Sequence, residues 1–193
     1  MVPLPLSAPI WDAFFTVAPL VLVGTREEDG SHDLAPKHMA MPLGWQNHFG
    51  FVCHPSHATQ RNAERTGAFT VSFPRPASVV QIALAAEGRQ GGEKPSLDAI
   101  PVSPANVVDG VLVDDAHLWL ECELDRVLDG FGGSTLIAGR VVAAAVAEGA
   151  HRASDADDAE LIAAAPLLTY LAPGRFAAVG ESRSFPFPVD FRR

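Results

Sequence analysis

The sequence predicts a mainly β chain, an antiparallel barrel carrying helical inserts. Three observations lead there. At least six short runs have strand composition and are bounded by turn residues. The clearest, His117 to Val127, alternates Leu118, Leu120, Cys122 and Leu124 with Glu121, Glu123 and Asp125, the period of a strand with one wet face. Sixteen Gly and 16 Pro among 193 residues favour many short elements joined by turns over a few long helices. Closing the sheet hides the edges that so many strands would otherwise expose.

The elements follow in order. Leu20 to Thr25 is an apolar Leu/Val run, and Arg26 to Ser31 after it has the composition of an exposed hairpin turn. Phe49 to Cys53 and Ala68 to Phe73 are the next strands. Between them Ala58 to Arg65 reads as a short polar helix with Gly67 as its C-cap. Pro76 to Ala86 reads as a helix burying Val79, Val80, Ile82 and Ala83. His117 to Val127 and Ser134 to Ala147 flank the turn Asp129-Gly130-Phe131-Gly132-Gly133 and pair as a hairpin. Asp157 to Leu171 is a helical candidate interrupted at Pro166, with Ser154 or Asp155 as cap, and Arg175 to Val179 adds a last short strand. No repeat or linker divides the chain, and at this length one domain over residues 1–193 is expected.

Charge and cysteine usage narrow the function. Fourteen Lys and Arg against 23 Asp and Glu give a formal charge of -9, a field that repels phosphate backbones, so no nucleic-acid partner is expected. The two cysteines, Cys53 and Cys122, are too few for a disulfide framework and form no CxxC pair, so a cytoplasmic setting is the simplest. The run Val17 to Val23 is too short to span a bilayer, and the opening Met1-Val2-Pro3-Leu4-Pro5 lacks the basic flank of a signal peptide, so no membrane association is expected.

Several chemistries have no motif. No GxGxxG opens a helix after a strand, and neither GxxxxGK[ST] nor GxSxG is present. Cys53, His54 and His57 are close in sequence, but no second pair of ligands accompanies them, so no metal site is expected and Cys53 reads as a small buried hydrophobe. Two segments resist a purely structural account. Leu34 to Gly44 sets Lys37 and His38 beside Met39 and Met41 between prolines, a polar and polarisable ribbon suited to an aromatic ligand edge. His54 to Asn62 places Ser56, His57 and Thr59 before and within a first helical turn, where unpaired N–H groups and hydroxyls can hold a phosphate, or where Ser56 can simply cap the helix.

Taken together, the sequence resembles the flavin reductase-like, FMN-binding split-barrel family. The resemblance rests on Pro19 to Thr25, Asp29-Gly30, Leu34-Ala35-Pro36, His57-Ala58-Thr59 with Asn62, and Thr66 to Val71. It continues through Glu93-Lys94, Leu120 to Leu124, the Gly132 to Val141 hairpin, Leu168 to Leu171 and Gly174-Arg175-Phe176. It implies an antiparallel split barrel, a homodimer, and FMN bound between the barrel and its mate. The ring would lie against Pro36, Lys37, His38, Met39, Ala40 and Met41. The phosphate would lie near His54, Ser56, His57 and Thr59, with Lys94 as a further contributor. The implied activity is hydride transfer from NADH or NADPH through flavin N5 to flavin, oxygen or another acceptor, with no side chain acting as nucleophile. Two departures stand out. Where flavin-reducing members carry Gly-Asp-His, its His implicated in handling nicotinamide, this chain has Gly132-Gly133-Ser134; and Lys37-His38-Met39 replaces small and aromatic residues. The competing classes are a non-catalytic carrier or sensor of FMN or haem, and a metal-dependent hydrolase built on His54 and His57.

Overall fold

The computed structural model describes residues 1–88, 94–152 and 156–188. In chain order the elements are β1 (Thr16–Pro19), β2 (Val21–Arg26), β3 (His32–Lys37), β4 (Ala40–Pro42), β5 (His48–Cys53), α1 (Ala58–Thr66), β6 (Ala68–Pro74) and α2 (Val79–Ala85). They continue with β7 (Val102–Pro104), β8 (Val111–Val113), β9 (Ala116–Phe131), β10 (Ser134–Val146), α3 (Asp158–Ala164), β11 (Leu167–Ala172) and β12 (Arg175–Val179). Seven strands form one curled antiparallel sheet in the order β3-β2-β6-β9-β10-β5-β4, while β1-β11-β12 and β7-β8 form two small sheets. The architecture is the expected split barrel. Its two free edges, β3 and β4, are consecutive in the chain and joined only by the bend at His38 and Met39. The ribbon singled out in the sequence is therefore the seam of the barrel.

Strand β2 shows why the sheet curls around one core and backs onto another. Val21 and Val23 point into a cluster with Phe49, Phe51, Phe69 and Val71, whereas Leu22 points outward into a second cluster with Leu34, Ile82, Val111 and Leu168. A strand buried on both faces needs an unbroken apolar run, which Val-Leu-Val supplies. Full burial of each such side chain contributes about 1.5–3 kcal/mol. On β6 the inward residues are apolar and the outward ones polar, yet Thr70 and Ser72 are buried too. Strand β8 covers them, and they are satisfied: the Thr70 hydroxyl donates to the Val111 carbonyl (2.6 Å) and Ser72 Oγ accepts from Val113 N–H (3.0 Å). Helix α1 docks on β2 through Asn62, whose amide donates to Thr25 Oγ1 (3.2 Å) inside the protein. It ends at Gly67, which takes the left-handed conformation (φ 69°) that caps the helix and turns the chain into β6.

Four expectations are corrected. Val80 and Ala83 are exposed and α2 buries Ile82 and Ala85, because the 3-10 turn Pro76–Ser78 rotates the helix start. The helical candidate ending at Leu171 stops at Ala164; after Pro166 the chain is strand β11, which pairs with both β1 and β12. Helix α3 is capped by Asp157, whose carboxylate accepts Ala159 N–H (2.8 Å), whereas Ser154 and Asp155 lie outside the described residues, as does Glu93. Glu121 does not face water: the loop before β8 folds over it. The hairpin of β9 and β10 and the strand β12 are found as expected. Among the described residues no helix is long and apolar enough to cross a membrane.

Candidate functional site

The seam and the turn after β5 face one another across a cleft of about 410 Å³. Strand β3 brings Pro36 and Lys37 to one wall. The chain leaving β5 at Cys53 makes a tight turn, closed by His57 N–H donating to the His54 carbonyl (2.9 Å), and delivers Ser56, His57 and Thr59 to the other. Lys94 completes the lining from a distant segment. Six of the residues singled out in the sequence therefore meet in one place. Five do not line the cleft. Ala40 is packed in the core, Met39 and Met41 stand more than half exposed, and the His38 ring lies against Tyr170 of β11 (centroids 4.7 Å). The His54 ring packs beside Gly133 at the tip of the β9–β10 hairpin.

Capping does not explain the hydroxyls of the turn. Helix α1 has His57 as its N-cap with no side-chain cap hydrogen bond, so its first N–H groups are free of a protein side chain. Ser56 is instead engaged with His54: its hydroxyl lies 2.7 Å from Nδ1 and its N–H donates to the same nitrogen (3.2 Å). The Ser56 hydroxyl is thereby free to turn toward a ligand without leaving Nδ1 unpaired.

The electrostatics of this wall are cationic. The His57 imidazole is held below its ordinary pKa first by desolvation, then by the charges of Lys37, His54 and Arg61. Arg61 also binds the Ser56 carbonyl, fixing the turn. A helix N-terminus, Lys37 and Arg61 converging beside hydroxyls are suited to a multiply charged oxyanion. Opposite charge in the lining is neutralised in part, since the Asp33 carboxylate is paired with Lys94 Nζ (3.1 Å), which also donates to the Leu34 carbonyl (2.8 Å). Lys94 thus reaches the cleft as half of a buried pair that pins its segment to β3.

Arg61 and Asp33 were not singled out from the sequence. For Arg61 a signal exists: it lies four residues after His57, one helical turn further on, and so shares its face. For Asp33 none does, because its partner is 61 residues away. Among the described residues no group of three His, Cys, Asp or Glu side chains is placed to hold a metal ion.

Comparison with known proteins places this geometry. Flavoredoxin of Desulfovibrio vulgaris (Miyazaki F) superposes with a TM-score of 0.78 at 21% identity, covering 97% of this chain and 99% of its own. Nitrilotriacetate monooxygenase component B from Bacillus cereus gives 0.76 at 23% identity, covering 88% of each chain. The FMN-binding protein from Thermus thermophilus with bound p-hydroxybenzaldehyde gives 0.74 at 20% identity, covering 96% of this chain and 98% of its own. At these identities the likeness is one of fold. The family model described as the flavin reductase like domain matches residues 15–178, from just before β1 to the end of β12. A match over so much of the chain makes the protein a member of the flavin reductase-like family.

Proposed function

We propose that this protein binds FMN in the cleft between the seam and the turn after β5, and catalyses flavin reduction by NADH or NADPH. The observation that carries the reading is the uncapped first turn of α1, set beside Ser56, Thr59, Lys37 and Arg61 in one cleft. That donor set fits a phosphate monoester. The small, weakly polar wall of Ala35 and Pro36 suits a flat aromatic ring. Membership of the family supports the reading, and so does the Thermus neighbour, an FMN-binding protein.

When bound, flavin supplies the hydride-accepting N5, and the chain's residues do the rest. Lys37, Arg61 and the first N–H groups of α1 would hold its phosphate. Lys37, at the end of β3, is also the cation that would favour a reduced ring held against the seam. No residue need act as nucleophile.

Titration with FMN and with riboflavin, followed by absorbance and then by anaerobic NADH or NADPH, tests the proposal. The expected result is a perturbed flavin spectrum that bleaches on adding the nucleotide. The Arg61→Ala variant should bind FMN about 10- to 100-fold more weakly, the value of one hydrogen bond to a charged group, with riboflavin affinity unchanged. Absence of any spectral change or heat with FMN refutes the reading. A second reading, an FMN carrier, is favoured by the bare Gly132-Gly133-Ser134 turn, and bound FMN that neither nucleotide reduces would establish it.

A further inference from the structure

The seam sends two neighbouring side chains to different places. Lys37, the last residue of β3, lines the cleft, while the ring of His38 after it lies on the Tyr170 ring of β11, tilted by 40° with centroids 4.7 Å apart. The backbone is tied on either side of His38: Lys37 pairs with Val21 of β2, and the Met39 carbonyl accepts the Val52 N–H of β5 (2.8 Å). Between those ties the chain bends, and the His38 ring carries the bend onto the small sheet β1-β11-β12.

Tyr170 is itself firmly held. Its hydroxyl accepts the Gly174 N–H (2.7 Å) of the β11–β12 turn, its backbone pairs with Ala18 of β1, and the Thr169 hydroxyl beside it donates to the Ala18 carbonyl (2.9 Å). Strand β1 runs through Leu20 directly into β2, where Val21 is the partner of Lys37. The contacts therefore close a loop, from Lys37 to Val21, back along the chain to Ala18, across to Tyr170, and through the two rings to His38. Such a closed set of short contacts leaves the strand end little freedom, which is how a side chain outside a site fixes a group within it. The Lys37 charge reaches the opposite wall: after desolvation it is the first of the charges that hold the His57 imidazole below its ordinary pKa, ahead of His54 and Arg61.

We propose that Tyr170 is a positioning residue: its ring holds His38, and through His38 it sets where the Lys37 ammonium stands in the cleft. Tyr170 stands outside the cleft lining and need touch no ligand. The consequence for flavin rests on the reading of the cleft given above, whereas the consequence for Lys37 does not. That difference allows the two to be tested apart, because His57 reports the Lys37 charge in the flavin-free chain.

The test is an NMR titration of the His57 imidazole in the full, flavin-free chain. His57 faces Lys37 from β3, His54 and Arg61 from its own segment, and Cys53, whose Sγ lies 3.8 Å from its Nδ1. In Tyr170→Ala the untethered ammonium relaxes into water, so the His57 midpoint should rise; Tyr170→Phe keeps the ring and should titrate as the wild type does. His38→Ala breaks the same contact from the bend and should reproduce the rise, which keeps the test open if Tyr170→Ala fails to fold by circular dichroism. In a Lys37→Met background Tyr170→Ala should produce no rise, since a residue that acts through Lys37 has nothing left to move. FMN affinity should follow the same pattern, about 10-fold weaker in Tyr170→Ala when Lys37 is present and unchanged by it when Lys37 is replaced. A His57 midpoint unmoved by both Tyr170→Ala and His38→Ala, or moved equally with and without Lys37, overturns the proposal. A chain that titrates as expected yet takes up no FMN supports the positioning and refutes the flavin reading alone.

Discussion

Glu121 offers the sharpest test of how this barrel is held together. Its side chain is 3% exposed and accepts N–H bonds from Asn106 (3.0 Å), Val107 (2.6 Å) and Val108 (3.0 Å), so one carboxylate satisfies three successive donors of the loop before β8. Burial alone would raise its pKa, but the bonds from Val108, Asn106 and Val107 outweigh that, and the carboxyl lies below the ordinary glutamate value. In Glu121→Gln the amide nitrogen replaces one accepting oxygen and faces a backbone N–H. At least one donor is left unpaired at about 1–3 kcal/mol, and the remaining bonds lose their charge assistance. A total of about 3 kcal/mol, at roughly 2–4 °C per kcal/mol for a chain of this size, lowers Tm by about 6–12 °C.

The pH dependence gives a second reading of the same carboxylate. A depressed folded-state pKa contributes stability that is fully present above the unfolded pKa and lost as pH falls through the folded one. Acidification should therefore destabilise the wild type more steeply than Glu121→Gln, and the two curves should converge at low pH. Thermal melts followed by circular dichroism across the acid range measure both effects. A Tm within about 2 °C of wild type at neutral pH, or parallel acid limbs, would refute the account of Glu121 as the clamp of this loop.

Two further outcomes follow from packing. A Cβ added at Gly139 would lie 2.5 Å from the Phe69 ring and 3.0 Å from the Glu123 carbonyl, so Gly139→Ala should cost about 1–3 kcal/mol in urea unfolding, and an unchanged midpoint would show that Phe69 has room to move. Lys94→Met removes the buried ammonium from the Asp33 carboxylate and the Leu34 carbonyl and should cost about 3–5 kcal/mol. Adding Asp33→Leu should restore most of that loss. A double variant no more stable than Lys94→Met would mean that the pair does not act as a unit.

Much of the molecule was legible because it is written in local rules. The β9–β10 hairpin announces itself by a glycine turn between two strand runs, and α1 by polar helix formers ending at Gly67. Ser56, His57 and Thr59 are neighbours in sequence, so their arrival in one cleft follows from a single turn and a helix start. The misreadings share a cause. Glu121 looked wet because its strand alternates, and only a loop more than ten residues away decides which face is covered. The segment from Leu167 to Leu171 has helical company on one side, but pairing with β1, some 150 residues earlier, makes it a strand.

The sequence by itself determined the element types, the apolar faces and the chemistry available near the cleft, since these depend on period, turn residues and side-chain identity over a few positions. Tertiary structure alone decided which of those residues meet. Closure of a curled sheet at the His38–Met39 bend turned Met39 and Met41 outward, sent His38 to Tyr170, and brought Lys94 to Asp33 across 61 residues. Such contacts are fixed by the free energy of burying the whole sheet, a sum over distant strands that no short stretch of chain contains.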